Sequence, residues 1–570
     1  MNKIVSKGKS ILNAQQNTVL SAASLIMVMV LVSRVIGLVR LRTLAHYYTT
    51  EDLSLFFAAF RLPDFIFEVF TLGSLSSAFI PVFTKSVKKD EKEAWLVAGR
   101  IVNFGLLIFG VLTLFFGIFA REIYALIAPG FSADQTDQIA SLARVLFAAQ
   151  GLFIISYVLT GVLESMRRFL IPALAPIFYN VGIIIGIIMF HSQFGLFAAV
   201  IGVLIGALMH LVIQLPLAFK LGFRFTPSLE IDEKVKKIGH LAAPRMLELA
   251  FLQISKVTEL FFASIISVAS YAHYNFAYSA QTIPVGLFGV SLAKAALPTL
   301  SSLEDDPKKF KSTFLGSLYQ VIFLTLPLSV ALIVLRIPVV RLLFGTDIFE
   351  WAATVETGVI LSTFAVGIPF QAATVLETRA FYALHDTKTP VVISLIGTFF
   401  TVIGSIILIK FMGYGTWALA LSYTLGSAFQ ALSLFIIIGK RLDGGKLLNL
   451  IPIVKAAIAS AASGAVMYFI LKFFDRAVWV KGLTFFMDIN AVQNLNFESF
   501  VIDTRYTPNL LFLTFLTSML GMLVYIAVSA ALGSGELATI IRIIRTRNFT
   551  SPPKKETESV TGGTSDSNQI

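Results

Sequence analysis

Residues 170–191, LIPALAPIFYNVGIIIGIIMFH, contain no Asp, Glu, Lys or Arg, and segments of similar length and character recur from one end of the chain to the other. A helix rises 1.5 Å per residue, so about 20 apolar residues cross the roughly 30 Å hydrocarbon core of a bilayer. Runs that qualify lie near 19–41, 54–83, 95–120, 139–163, 170–191, 195–219, 239–266, 272–300, 314–336, 354–384, 390–411, 415–439, 451–473 and 509–533. In lipid no water satisfies the backbone, so each run must close its own hydrogen bonds as helix. The expected fold is an all-α polytopic membrane protein with about 14 transmembrane helices. Hydrophobic residues make up 56% of the chain, charged residues 14%, and mean hydropathy is +0.82, which excludes a soluble domain of this length.

The formal charge of +12 has a topological cause rather than a nucleic-acid one. Lys85, Lys88, Lys89 and Lys92, then Arg167 and Arg168, then Lys234, Lys236 and Lys237, then Lys308, Lys309 and Lys311 fill alternate loops, while 121–138 and 267–273 are poor in Lys and Arg. Basic loops stay inside, which predicts a multi-pass membrane protein with both termini cytoplasmic. The first run follows Lys3, Lys7 and Lys9 without a small-residue cleavage site and is expected to remain as an anchor. There is no cysteine and the six histidines are scattered, so disulfides, metal sites and cofactors are not expected. The chain divides into a cytoplasmic segment 1–18, helices over 19–219, a cytoplasmic linker 220–238, helices over 239–439, a terminal helix pair over 451–533 with a loop at 475–508, and a polar tail, 548–570, expected to be disordered.

An internal repeat organises the runs. Ser74-Leu75, Ala78 and Pro81 match Ser291-Leu292, Ala295 and Pro298, and each set precedes a lysine-rich loop. About ninety residues further on, a polar turn leads into a helix-opening proline, Pro172 in one half and Pro390 in the other. Two parallel six-helix repeats plus two C-terminal helices would place a substrate site between the halves.

Charges inside the runs mark that site, because an ionisable side chain at membrane depth is costly and usually faces a cavity. Arg34 and Arg40 in the first run stand six residues apart, about 9 Å along a helix and about 120° in azimuth. They suit one wide cavity; the plain alternative is that Arg40 snorkels outward with Arg42 and that Arg34 is held by a carboxylate of the second run. Arg61, Asp64 and Glu68 share one helical face, and an Arg61–Asp64 pair that neutralises itself competes with ligand binding. In the seventh run Arg245–Glu248 and Lys256–Glu259 are spaced as internal ion pairs. Lys294, Glu377 and Arg379 are secondary candidates. Arg167, Arg168, Asp386 and Lys388 suit helix capping and topology, and Gly37, Gly73, Pro81 and Pro298 suit hinges or close packing.

Several stretches together resemble the MurJ/MviN-type lipid II flippases of the MOP exporter superfamily. They are Ser33-Arg34 with Gly37 and Arg40, Phe56-Phe57 with Phe60-Arg61-Leu62-Pro63, Ala78-Phe79 with Pro81, and Ala128-Pro129-Gly130-Phe131. Arg168-Phe169 with Ile171-Pro172-Ala173 and Ala175-Pro176 continues the series, and Phe381-Tyr382-Ala383 with Asp386-Thr387-Lys388-Thr389-Pro390 is its most specific member. The resemblance implies a non-enzymatic transporter that carries a polyprenyl-pyrophosphate peptidoglycan precursor, lipid II, from the inner to the outer leaflet by alternating access. It implies a groove for the lipid tail between the last two helices, with bilayer lipids and cell-wall synthesis proteins as partners. Arg34, Arg40 and Arg61, with Asp64, Glu68, Lys256 and Lys294, become candidate substrate residues, since guanidinium engages two phosphate oxygens at once and stays charged.

This chain departs from the family pattern at Phe67 and Glu68, where members carry a basic pair, and at Tyr278, Ser279 and Thr282, where charged residues are common. The cavity is therefore expected to be less positive, which leaves open export of another polyprenyl-linked oligosaccharide. The eleventh run offers Ser394, Thr398, Thr401 and Ser405 but no carboxylate, so a sodium site there is not supported. The 475–508 loop is long enough for an interfacial lid or a partner site, which keeps a non-transporting scaffold for cell-wall enzymes as a reading from another class.

Overall fold

The computed structural model describes residues 19–72, 79–443, 449–476 and 501–546, and among these it has helices and no strand. In chain order the helices are α1 (Val19–Tyr47), α2 (Thr50–Ala59), α3 (Arg61–Ile66), α4 (Ile80–Val87), α5 (Glu91–Ile118), α6 (Ala120–Ile127) and α7 (Ala133–Ser165). There follow α8 (Leu170–Phe194), α9 (Phe197–Val212), α10 (Leu215–Lys220), α11 (Glu233–Ile266), α12 (Ser270–Pro284), α13 (Ser291–Ser301) and α14 (Pro307–Val334). The last seven are α15 (Arg336–Phe344), α16 (Trp351–Ala383), α17 (Lys388–Ser405), α18 (Trp417–Asp443), α19 (Ile451–Phe474), α20 (Thr507–Ala531) and α21 (Gly535–Thr546). Among the described residues twelve helices are long and apolar enough to cross a membrane. The remaining expected runs, 19–41 and 54–83, fall on α1 and on α2 to α4, which flank the undescribed residues 73–78; counting both, we propose fourteen crossings. The segment 1–18, the tail 548–570, Gly73 and most of the 475–508 loop lie outside the described residues.

The repeat recurs in backbone detail. A π-helical turn, Phe67–Leu72, follows α3, and another, Val285–Val290, follows α12, each residue 218 positions on. Arg167 and His385, again 218 apart, are the two non-glycine residues with positive φ among those described, at 58° and 57°. In both halves this left-handed residue ends a helix with the same bonds: Arg168 N–H donates to the Leu163 carbonyl (2.8 Å) and Asp386 N–H to Phe381 (2.9 Å), the six-residue closure of a Schellman turn. Pro172 and Pro390 then occupy the third position of α8 and α17, where no intrahelical donor is lost.

Prolines break the helices, and neighbours repair the break. A proline frees the carbonyl four residues before it. For Pro63 that is Ala59, which accepts from the Tyr124 hydroxyl of α6 (2.8 Å). For Pro327 it is Phe323, which accepts from Tyr525 of α20 (2.7 Å), and for Pro369 it is Ala365, which accepts from Ser329 of α14 (2.5 Å). In the single run read at 54–83, α2 accordingly ends at Ala59 before α3 begins, and residues 73–78, ahead of α4, lie outside the described residues. Glycines set the tightest packing: Gly182 and Gly186 of α8 face Gly206 and Gly202 of α9, and a Cβ on Gly202 would stand 2.7 Å from the Ile183 carbonyl oxygen. The linker after α10 lies along α5, where Arg100 pairs with Glu230 and Asp232 and Asn103 donates to the Thr226 carbonyl (2.7 Å).

The two halves share one large apolar cluster at one end, and two smaller clusters lie at the other. The shared apolar cluster joins Leu53, Tyr124 and Phe147 to Phe276, Phe344 and Phe364. Polar bonds reinforce it: Arg42 donates to the Leu342 carbonyl (2.7 Å), Thr346 to Ala45 (2.6 Å) and Ala272 N–H to Ser54 (2.9 Å). Gly130 N–H donates to Ser264 (3.2 Å), and any side chain on Gly130 would collide with the Ser264 carbonyl. At the lysine-rich end, Phe79, Phe83 and Trp95 cluster with Ile238 and Ala242 of α11, and Phe310, Phe314 and Phe381 form a cluster within the second half.

Candidate functional site

Two adjoining chambers lie between the halves, one of about 630 Å³ and one of about 270 Å³, and Arg61 and Asn275 border both. The first helix supplies Arg34 to the larger chamber and Arg40 to the smaller, so their difference in azimuth separates them along one path. Arg34 rests against the π-turn of the opposite half: a Cβ on Gly286 would fall 2.8 Å from its guanidinium carbon. Arg40 does not snorkel with Arg42, which is engaged at the closed end. The buried Nε atoms of Arg40 and Arg61 have no hydrogen-bond partner, so each aims at least one donor at nothing the described chain provides.

The carboxylates are occupied otherwise than their spacing suggests. Asp64 accepts from Gln150 (2.6 Å) and makes no ion pair with Arg61. Glu68 takes Lys256, at 2.7 Å, and also accepts from Gln253. The local Lys256–Glu259 pair is therefore replaced by a bond between α11 and the π-turn of the other half, and Glu259 instead accepts from Ser255 (3.4 Å). For Arg245–Glu248, the Glu248 side chain lies outside the described residues.

Apart from Tyr278, noted only as a departure from the family pattern, the tyrosines went unnoticed in the sequence. Tyr271, Tyr274 and Tyr278, spaced i, i+3, i+7 on α12, line the larger chamber with Tyr423 of α18, whose ring meets Tyr278 edge-on at 5.9 Å. Thr282, Ser394, Thr398 and Thr401 add hydroxyls. The chambers are thus asymmetric: every lining arginine comes from the first half, and the second contributes Lys256 and Glu259 together with aromatic faces and neutral hydrogen-bonding groups.

Other candidates lie elsewhere. Lys294 is exposed on α13 and lines neither chamber, and Arg379 stands over the Tyr382 ring at 5.8 Å. Glu377 faces a separate cavity behind α16. A Cβ on Gly37 would meet Asn180 at an ordinary 3.9 Å, so packing does not demand glycine there. Pro81 opens α4 and Pro298 lies within α13, both exposed. Asp386 caps the first turn of α17, accepting from Lys388 N–H (3.0 Å), Thr389 N–H (2.9 Å) and Thr389 Oγ1 (2.6 Å), and it pairs with Arg441. Partial burial works to raise its pKa, but the Thr389 hydrogen bonds and the Arg441 charge outweigh that and hold it at about 2.

A family model described as lipid II flippase MurJ matches residues 44–489. The chain belongs to the MurJ family. A protein named "Probable lipid II flippase MurJ" from Borreliella burgdorferi is 25% identical over 468 residues, covering 81% of this chain and 91% of the relative. One of the same name from Thermotoga maritima is 28% identical over 443 residues, covering 76% and 87%. A solved lipid II flippase MurJ in an inward closed conformation superposes with a TM-score of 0.73 at 23% identity, over 91% of this chain and all of that one. An inward-facing multidrug resistance MATE transporter of the MOP superfamily gives 0.61 at 15% identity, over 73% and 95%. These likenesses show that the chain shares its fold with both structures.

Proposed function

We propose that this MurJ-family chain moves lipid II between the leaflets of the bacterial cytoplasmic membrane by alternating access. The observation that carries this reading is the set of three guanidinium groups around joined chambers, two of them with a buried, unpartnered Nε. A pyrophosphate supplies the missing acceptors and charge. In this reading Arg34 meets the headgroup at the lysine-rich end, Arg61 holds the pyrophosphate where the chambers join, and Arg40 receives it toward the closed end. Asp64 and the Glu68–Lys256 pair set the local charge, and the tyrosines stack on sugar faces. The helix pair α19 and α20 accommodates the polyprenyl tail, and the lysine-rich loops face the cytoplasm together with both termini. The reaction makes and breaks no bond.

Leaflet accessibility of lipid II in cells depleted of their own flippase tests the reading. Supplying the native chain is expected to restore outer-leaflet lipid II, and supplying a well-inserted Arg34→Ala variant is not. No restoration by a well-inserted native chain would reject lipid II as cargo.

A further inference from the structure

We propose that Glu377 is a proton-binding site whose loading is coupled to the tilt of α16. The residue is 2% exposed and borders a cavity of about 520 Å³ between α14, α16, α18 and α19. Its Oε2 atom has no hydrogen-bond partner. From α14 the cavity receives aliphatic side chains and Ser329, whose hydroxyl is committed to the Ala365 carbonyl; from α18 it receives Ala431, Leu432 and Phe435; from α19, aliphatic carbons and Ser460. No other titratable side chain lines it. On the neighbouring α13 the one cation, Lys294, is exposed, and Arg379 is turned to the Tyr382 ring. A carboxylate buried against this apolar lining has neither a cation nor enough donors to replace its hydration, so the site favours the neutral acid.

The position of Glu377 links that proton to transport. Helix α16 is the wall between two spaces: Gln371, Thr374 and Val375 face the larger substrate chamber, while Pro369, Ala373 and Glu377, at i, i+4 and i+8, face the cavity behind it. Pro369 removes one intrahelical bond two turns before Glu377, and its replacement by the Ser329 hydroxyl gives the helix a place to bend. A tilt of α16 that reshapes the chamber moves Glu377 against α14 and α19 and lets water reach it. The proton is bound in the described state and released in the other. This coupling rests on the transport reading above, whereas proton binding itself does not.

Infrared spectra of the full chain in lipid nanodiscs, held in the described state by a thiol crosslink between Ala45→Cys and Thr346→Cys, read the protonation directly. At neutral pH the spectrum with native Glu377 minus that of Glu377→Gln is expected to show a protonated-carboxyl band, which Glu377→Asp retains at a shifted position. A carboxylate band in its place would overturn the site. In vesicles containing lipid II, reversing an imposed pH gradient is expected to change the native flipping rate several-fold and to leave the Glu377→Gln rate unaltered, with Glu377→Asp responding. Equal gradient responses in native chain and Glu377→Gln would overturn the coupling. If no variant moves lipid II, the transport reading fails and the infrared result still decides the proton site.

Discussion

At the chambers a few charged side chains dominate, and their partners fix what each can do. A guanidinium–phosphate contact is worth about 1.5–3 kcal/mol, so Arg61→Ala should weaken lipid II binding roughly 10- to 100-fold, as measured by titration into nanodiscs. Arg61→Lys should recover only part of this, because an ammonium lacks the planar fork. Gly286→Ala should act on the same step by displacing Arg34 and should lower flipping while leaving thermal stability nearly unchanged. Lys256→Ala strands Glu68, and the reciprocal exchange Lys256→Glu with Glu68→Lys should restore most of the lost melting temperature; no recovery would mean the pair is incidental. That Arg34, Arg40 and Arg61 line chambers could be read from the sequence because charge inside an apolar run stands out. The Lys256 partner was not, since Glu68 lies 188 residues away while Glu259 offers a tempting local spacing. The tyrosine stripe was hidden for another reason: tyrosine is amphipathic and suits a core or an interface as well as a binding wall.

Among the elements, the long helices could be read from apolar length alone, and the described boundaries follow the expected runs. The short helices α6, α10 and α15 escaped because one or two turns carry no span-length signal, yet α6 brings the tyrosine that repairs the break at Pro63. The α8–α9 contact should be the least tolerant of added volume: Gly202→Leu is expected to cost about 1–3 kcal/mol or more, seen as a lower melting temperature in detergent. Loss of the Asp386 cap in Asp386→Ala should cost about 1 kcal/mol. Since Asp386 titrates at about 2, below its ordinary 3.8, its stabilisation is complete above the ordinary value and disappears as pH falls toward 2. The stability difference between native and Asp386→Ala should therefore shrink over that interval in acid titration.

For the whole molecule, one apolar cluster joins the halves at one end, while two smaller clusters lie at the lysine-rich end. The native chain has no cysteine, so the Ala45→Cys, Thr346→Cys pair gives a clean trap. Crosslinking it should stop flipping and reduction should restore it; continued transport in the crosslinked form would mean that this end does not open. The duplication was visible in Ser291 and Pro298 echoing Ser74 and Pro81, but the closed end was not, because its contacts join residues some 300 positions apart such as Arg42 and Leu342. The asymmetry of the chambers has an electrical consequence. All the guanidinium charge lining the chambers sits on one half, so on the proposed reading the anionic headgroup would travel with that half as a partly neutralised complex, and the field across the membrane would act chiefly on the return stroke, when the arginines move back unladen. One elementary charge crossing 100 mV is worth about 2.3 kcal/mol, so an interior-negative membrane would draw the emptied arginines inward and reset the carrier for its next load.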